Sequence, residues 1–167
     1  MSIAEDLDRI AIQERTLRLP RFDPQVAWEI GSRLRTMALQ RELVVIIDVR
    51  RFGQPLFYCA LEGTSPDNPE WARRKSNVVA RFHRSSYGVG LDLRAKDATL
   101  SESRGLPTAD YAPHGGSFPV HVEGAGIVGS ITVSGLPQRG DHELVVEALC
   151  AYLDRNYEAL KLGPESI

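Results

Sequence analysis

"HGGSFPVHVEGAGIVGSITVSG", His114 to Gly135, is the stretch on which the reading of this chain turns. Within it, G-A-G-I-V-G at Gly124 to Gly129 has the glycine spacing of a dinucleotide-binding loop. Such a loop needs a strand before its glycines and a helix after them, because the unpaired amides at the helix N-terminus bind the pyrophosphate. Here the glycines run into "SITVSG", whose Ile131, Thr132 and Val133 are β-branched and suit a strand. "FPVHV" and "IVGSITV" therefore read as the two arms of a hairpin with "EGAG" as its turn, where glycine supplies positive φ. Gly129, inside the second arm, marks a bulge or a close approach of another backbone.

Outward from the hairpin, periodicity supplies the other elements. Towards the N-terminus, Ile3, Leu7 and Ile10 have helical spacing and predict a peripheral helix over 2–16, ended by "LRLPRFDP" with its two prolines. Asp23 as N-cap and Pro24 at the first helical position open a second helix, running to about Arg41 with Val26, Ile30, Leu34 and Met37 on one stripe. "LVVIIDVRRFGQPLFYCALEG" gives two strands around a turn at Gly53–Pro55. A long helix is predicted from about Pro69 to Ser86, with Trp71, Val78, Val79 and Phe82 as its stripe. Residues 87–113 are mixed and could hold one more strand. A last amphipathic helix begins at Asp141 and carries Val145, Ala148, Leu149 and Tyr152 on one face. Hairpins separated and flanked by helices make an α+β three-layer sandwich.

Composition bounds what such a domain can do. At 167 residues and 43% hydrophobic, the chain suits a single domain, 1–167, with one buried core. A formal net charge of −2 gives no global field for nucleic acid or an anionic membrane, so any anion site must be local. The longest strongly apolar run, Leu43 to Ile47, is far short of a membrane span. The acidic start "MSIAEDLDRI" lacks the basic and apolar regions of a secretion signal, which predicts a cytoplasmic protein. Cys59 and Cys150 stand far apart in apolar patterns and read as packed thiols.

"RRKSNVV" at 73–79, "GGSFPV" at 115–120, "GIVGSITVSG" at 126–135 and the helix that follows from Asp141, His142 and Glu143 together resemble the haem-degrading, GlcG-like (HbpS-like) superfamily. The likeness spans about residues 5–158 and is nearest to the superfamily's branch of uncharacterised proteins. It implies a profilin-like αβα sandwich around a five-stranded antiparallel sheet, assembled into homo-oligomers from dimer to octamer. Relatives include haem-binding redox sensors, a corrinoid-associated haem-binding domain and glycolate-operon proteins. In the corrinoid-associated relatives the haem ligand is a histidine near the N-terminus; the first histidine here is His83, so that ligand does not carry over.

The residues themselves nominate a ligand site. Lys75 lies four after Trp71 and three before Val78, so helical geometry sets an ammonium on the face that packs inward. With Arg74 beside it, Lys75 could attract a carboxylate or propionate; the plainer alternative is a structural ion pair with Asp48 of the sheet. Arg73, Arg81 and Arg84 read as a solvated face. His114 precedes Gly115 and Gly116, which would let a ligand approach backbone amides, and is either a haem or metal ligand or a loop imidazole. Ser134 and Gly135 end the strand opposite, and His142 opens the last helix as a capping residue or a ligand of the same cavity. The histidines show no H-E-x-x-H or tight pair that would make a zinc site, and "HGGS" is accompanied by no G-x-S-x-G nucleophile elbow.

Three functions stay open at this level. One is a small-molecule binding protein for haem or another planar or carboxylated ligand. Another is an enzyme whose substrate sits in the same cavity, oriented by Lys75 while a histidine moves a proton. The third is an oligomeric scaffold without ligand.

Overall fold

The structure, a computed structural model, describes residues 1–165. Its chain order is α1 (Ile3–Thr16), α2 (Pro24–Gln40), β1 (Ile46–Arg51), β2 (Gln54–Ala60), α3 (Asp67–Phe82), α4 (Ser86–Ala95), α5 (Leu100–Arg104), β3 (Ser117–Val122), β4 (Gly126–Ser134), α6 (Gln138–Tyr152) and α7 (Tyr157–Leu160). The strands form one antiparallel sheet in the order β2-β1-β4-β3. Two hairpins thus meet through β1 and β4 at the centre of the sheet.

The five-stranded sheet implied by the resemblance is corrected to four strands among the described residues. Beside β3, where a fifth strand would add, only Leu19 pairs: its N–H donates to His121 O at 2.8 Å and its carbonyl accepts from Glu123 at 2.9 Å. Pro20 follows and has no N–H with which to continue the ladder. The other place for a strand, residues 87–113, holds α4 and α5 instead. The apolar alternation Tyr87, Val89, Leu91, Leu93 looks like a strand, yet it serves a helix packed on two sides. Tyr87 and Leu91 join Ile10 of α1, while Val89 and Leu93 join Val78 and Phe82 of α3. The Ser85 hydroxyl caps α4 by accepting from Gly88 N–H at 3.1 Å.

The long helix expected to reach Ser86 stops at Phe82, because His83 adopts a left-handed conformation (φ 55°) and turns the chain into α4. At the other end of the fold, Asp23 does cap α2, its carboxylate accepting from Val26 N–H at 2.9 Å, with Pro24 at N1. A capping box between Ser2 and Glu5 starts α1.

Strand alternation gives the sheet two unlike faces. Val45, Ile47, Val49, Ile131, Val133, Phe118 and Val120 face α2 and α6 and form the main core with Ile30, Leu34, Val145 and Leu149. The face under α3 carries Asp48, Ser117, Ser130, Thr132 and Ser134, all buried. Each fully buried aliphatic side chain on the first face contributes about 1.5–3 kcal/mol. The second face instead needs internal partners: Thr132 Oγ1 donates to Ser117 Oγ at 2.9 Å, Ser86 Oγ accepts from Ser117 N–H at 3.0 Å, and Asp48 takes two bonds from Arg50 at 2.7 and 2.6 Å.

Gly129 pairs with Arg51 of β1 and lies close against the β1 backbone. A Cβ there would lie 2.0 Å from Arg50 O, and the β3–β4 register shifts opposite it, between Val120 and His121. Gly126, at the turn with φ 85°, has open space around it. Gly129→Ala should therefore cost at least ~2 kcal/mol and lower the melting temperature by about 4–8 °C, whereas Gly126→Ala should cost only the left-handed strain, about 1 kcal/mol. Thermal unfolding of the two variants checks the contrast.

Candidate functional site

Lys75 Nζ lies 2.9 Å from Asp141 Oδ2, and both side chains are removed from water, at 5% and 1% exposure. The pairing with Asp48 weighed above is corrected: Asp48 is held by Arg50 two residues along the same strand face. Asp141 lies in the first turn of α6 and reaches back over the chain that enters the helix. Its Oδ1 accepts from Leu136 N–H at 2.9 Å and its Oδ2 from Gly135 N–H at 3.3 Å, as well as from Lys75. Burial pushes this carboxyl above its ordinary range, while the ammonium and the two amides pull it back. Three converging donors are the surroundings of an ionised acceptor.

The ammonium has space because of Gly116. A Cβ at this residue (φ 136°) would stand 2.9 Å from Lys75 Nζ and 2.4 Å from Val133 O, so only glycine accommodates both the backbone and the cation. Lys75 Nζ has three protons, and among the described residues it makes one hydrogen bond, to Asp141. Lys75 also lines a cavity of about 320 Å³ between α3, the strand end and the start of α6.

Around that cavity the chain assembles residues distant in sequence. Its lining brings together the Lys75–Asp141 pair, Ser134 and Gly135 from the strand end, and Trp71, Asp67 and Asn68 from α3. His114 stands at the rim, its ring 5.5 Å from that of Trp71 and edge-on to it. Among the described residues this imidazole has no hydrogen bond. Burial, then Lys75 and Arg74, lower its pKa, so it is neutral at physiological pH. Arg74 lies outside this lining; its Cζ is 4.6 Å above the Trp71 ring and its Nε donates to Thr108 O at 2.9 Å. Gly115 packs against Gln138: a Cβ would lie 2.1 Å from Gln138 O, and Gly115 N–H donates to Gln138 Oε1 at 3.2 Å.

His142 is elsewhere. One residue beyond Asp141, it is turned by about 100° around the helix and enters the interior between Tyr87 and Phe118, with ring distances of 5.2 and 5.8 Å. Its Nε2 donates to Gln13 Oε1 at 2.8 Å, and Gln13 Nε2 donates to Glu143 and to Leu160 O, both at 3.0 Å. Its Nδ1 is buried without a partner. Protonation would add an N–H with nowhere to bond, and burial lowers the pKa to about 3. His142 thus locks α6 to α1 and leaves the cavity to Asp141, read above only as the residue opening the last helix. The available signal for Asp141 was that an inward lysine requires an acid near the strand end.

The match to known proteins adds to this geometry. Residues 22–150 match the family described as haem-degrading protein HbpS-like. The chain belongs to that family. It is 62% identical over 163 residues to a UPF0303 protein of Burkholderia thailandensis, covering 98% of this chain and 99% of the relative. In fold it is similar to the Ybr137w protein, with TM-score 0.81, 28% identity and coverage of 89% of this chain and 88% of the other. A PduOC:heme complex is similar with TM-score 0.63 and 15% identity, covering 74% and 88%. Among the described residues of this HbpS-like chain, no helix is long and apolar enough to cross a membrane.

Two outcomes follow from the buried groups. Lys75→Met alone leaves Asp141 uncompensated and should destabilise by about 3–5 kcal/mol, while Lys75→Met with Asp141→Asn, which keeps an acceptor for the two amides, should recover most of that loss. Denaturant unfolding of the single and double variants measures the coupling. For His142, the folded-state pKa lies below the unfolded one, so the unfolded chain binds more protons between them. Its stabilising contribution is complete above pH ~6.5 and is lost as pH falls towards 3, a change on the order of 5 kcal/mol at the limit. His142→Phe should remove that component of the acid sensitivity, read as the difference between the two proteins' stability–pH curves.

Proposed function

We propose that this protein binds a small molecule through a carboxylate, and that haem, engaged by a propionate, is the first ligand to try. The observation that carries the proposal is the ammonium of Lys75: deeply buried, held in place by Asp141, with one hydrogen bond among the described residues and a place in the lining of a cavity. A purely structural ion pair has no need of such a space beside it. The Asp141 partner keeps the lysine oriented, and a carboxylate entering the cavity completes its hydrogen bonding in a setting of low dielectric. The neutral, unbonded imidazole of His114 is chemically suited to iron, and its place on the rim leaves room for a large ring that the cavity itself could not enclose. Membership of the HbpS-like family and the likeness to a heme complex support the choice of haem.

The same neutral imidazole beside a fixed cation favours a second reading, an enzyme in which Lys75 orients an anionic substrate and His114 accepts a proton. We read the protein as cytoplasmic and as a homo-oligomer. The unpaired outer edge of β2 and the exposed Trp28, Phe52 and Tyr58 support self-association.

Hemin titration followed by absorption spectroscopy tests the reading. A saturable Soret shift at one haem per chain is expected, weakened at least tenfold by Lys75→Met with Asp141→Asn and altered in position by His114→Ala. A shift that neither saturates nor responds to these substitutions would overturn haem binding at this cavity. Turnover of a bound ligand, lost in His114→Ala with binding retained, would establish the enzyme.

A further inference from the structure

We infer that the ligand is an amphipathic acid whose apolar, ring-containing body occupies a second cavity adjoining the first, with His114 lying between its two ends. The inference rests on reading the Lys75 cavity as a carboxylate site and adds the chemistry of the rest of the molecule. The second cavity, about 280 Å³, is bounded by α4, α5 and the segment that returns from α5 to His114. Its walls include Leu91, Leu93, Leu100, Leu106, Tyr111 and Pro113. These belong largely to the small cluster that α4 and α5 form against α3, so the cavity is a gap in an otherwise packed apolar layer. Arg74 and Arg94 are the charged residues of its lining among the described residues, beside the hydroxyls of Thr99 and Thr108.

The two cavities share two residues, His114 and Gln138. Gln138 is fixed by its bond to Gly115 N–H, whereas His114 is bonded to nothing among the described residues and can turn. The partition is therefore one rigid amide and one movable ring. Trp71 of the first cavity and Arg74 of the second are stacked on each other, so both are built on one turn of α3. The wall of the second cavity is also fastened to that helix. Arg73 bonds to Asp110 and Ala109 O, Arg74 to Thr108 O, and Asn77 to Asp110 O, while Ala112 N–H donates to Arg74 O. Gly90 lets Pro113 O approach to 2.0 Å of where a Cβ would be, so α4 lies tight against the segment.

Such anchoring holds apart walls that could otherwise collapse. An apolar cavity kept open next to a desolvated ammonium matches a ligand with a carboxylate at one end and an unsaturated or aromatic body at the other, and not a compact hydrophilic acid. The apolar body supplies affinity by leaving water, the carboxylate supplies orientation, and His114 is the residue over which the two parts join.

Acetate and 1-naphthylacetate separate these contributions, with binding followed by amide chemical shifts and fluorescence on the full-length protein. Naphthylacetate should bind at least tenfold more tightly than acetate and shift amides of Gly90–Leu100, which acetate leaves in place. Ala98→Trp, placed at a half-buried position of the cavity wall, should abolish that advantage without changing acetate binding; Leu93→Trp fills the same space from α4 and serves if the first variant is unstable. Lys75→Met with Asp141→Asn should weaken both ligands. If the cavity-filling variants leave the tenfold advantage intact while the double variant still weakens both ligands, the second cavity plays no part and the inference is overturned, with the carboxylate site standing. If the double variant changes neither ligand, the carboxylate site itself is refuted.

Discussion

A lysine ammonium and an aspartate carboxylate share a site from which water has been removed, and the architecture on that side of the sheet follows from keeping them together. Lys75 comes from the middle of α3 and Asp141 from the start of α6, so the pair joins helices that lie on opposite faces of the sheet. To reach one another they meet beyond the end of β4, where Asp141 also holds the amides of Gly135 and Leu136. Either charge alone would be costly at such burial, and the two together are acceptable only in fixed geometry. That requirement dictates a glycine at 116 and a tight turn out of β4.

The polar face of the sheet extends the same logic. A row of hydroxyls on β4, with Ser117 and Ser86 beside it, replaces the aliphatic packing found on the other face. Hydroxyls forgo the packing energy of a leucine layer but tolerate the ionic groups nearby and keep their hydrogen bonds within the fold. Ser130 Oγ is an exception among them, buried without a partner. The molecule is thus asymmetric: the main aliphatic core lies on the α2 and α6 side of the sheet, and the buried hydroxyls lie on the α3 side.

How far this could be foreseen differs from element to element. The hairpin at 117–134 was legible because β-branched residues follow its glycines, and α2 because Asp23 and Pro24 are local signals that no tertiary contact overrides. The inward lysine was legible from helical spacing alone. Its partner was not, since two aspartates were available and only the three-dimensional path of the chain brings Asp141 to it. The segment 86–104 misleads because a helix buried on two sides and a strand can share one alternating pattern. His142 misleads by a single step: neighbouring helical positions face directions 100° apart, so the cavity receives Asp141 and the core receives the histidine.

The bond from Gln13 to His142 has a consequence for how the protein takes shape. Ile10 of α1 packs on Tyr87 and Leu91 of α4, but Gln13 of the same helix finds its buried partners much further along the chain: His142, Glu143 and the carbonyl of Leu160. The capping box of α1 is local and favours helix without them, whereas Gln13 depends on α6 and the segment after it. Until those long-range contacts form, the Gln13 amide keeps water as its partner. Closure of α1 onto α6 is therefore a contact of long sequence separation, fastened by an amide and an imidazole.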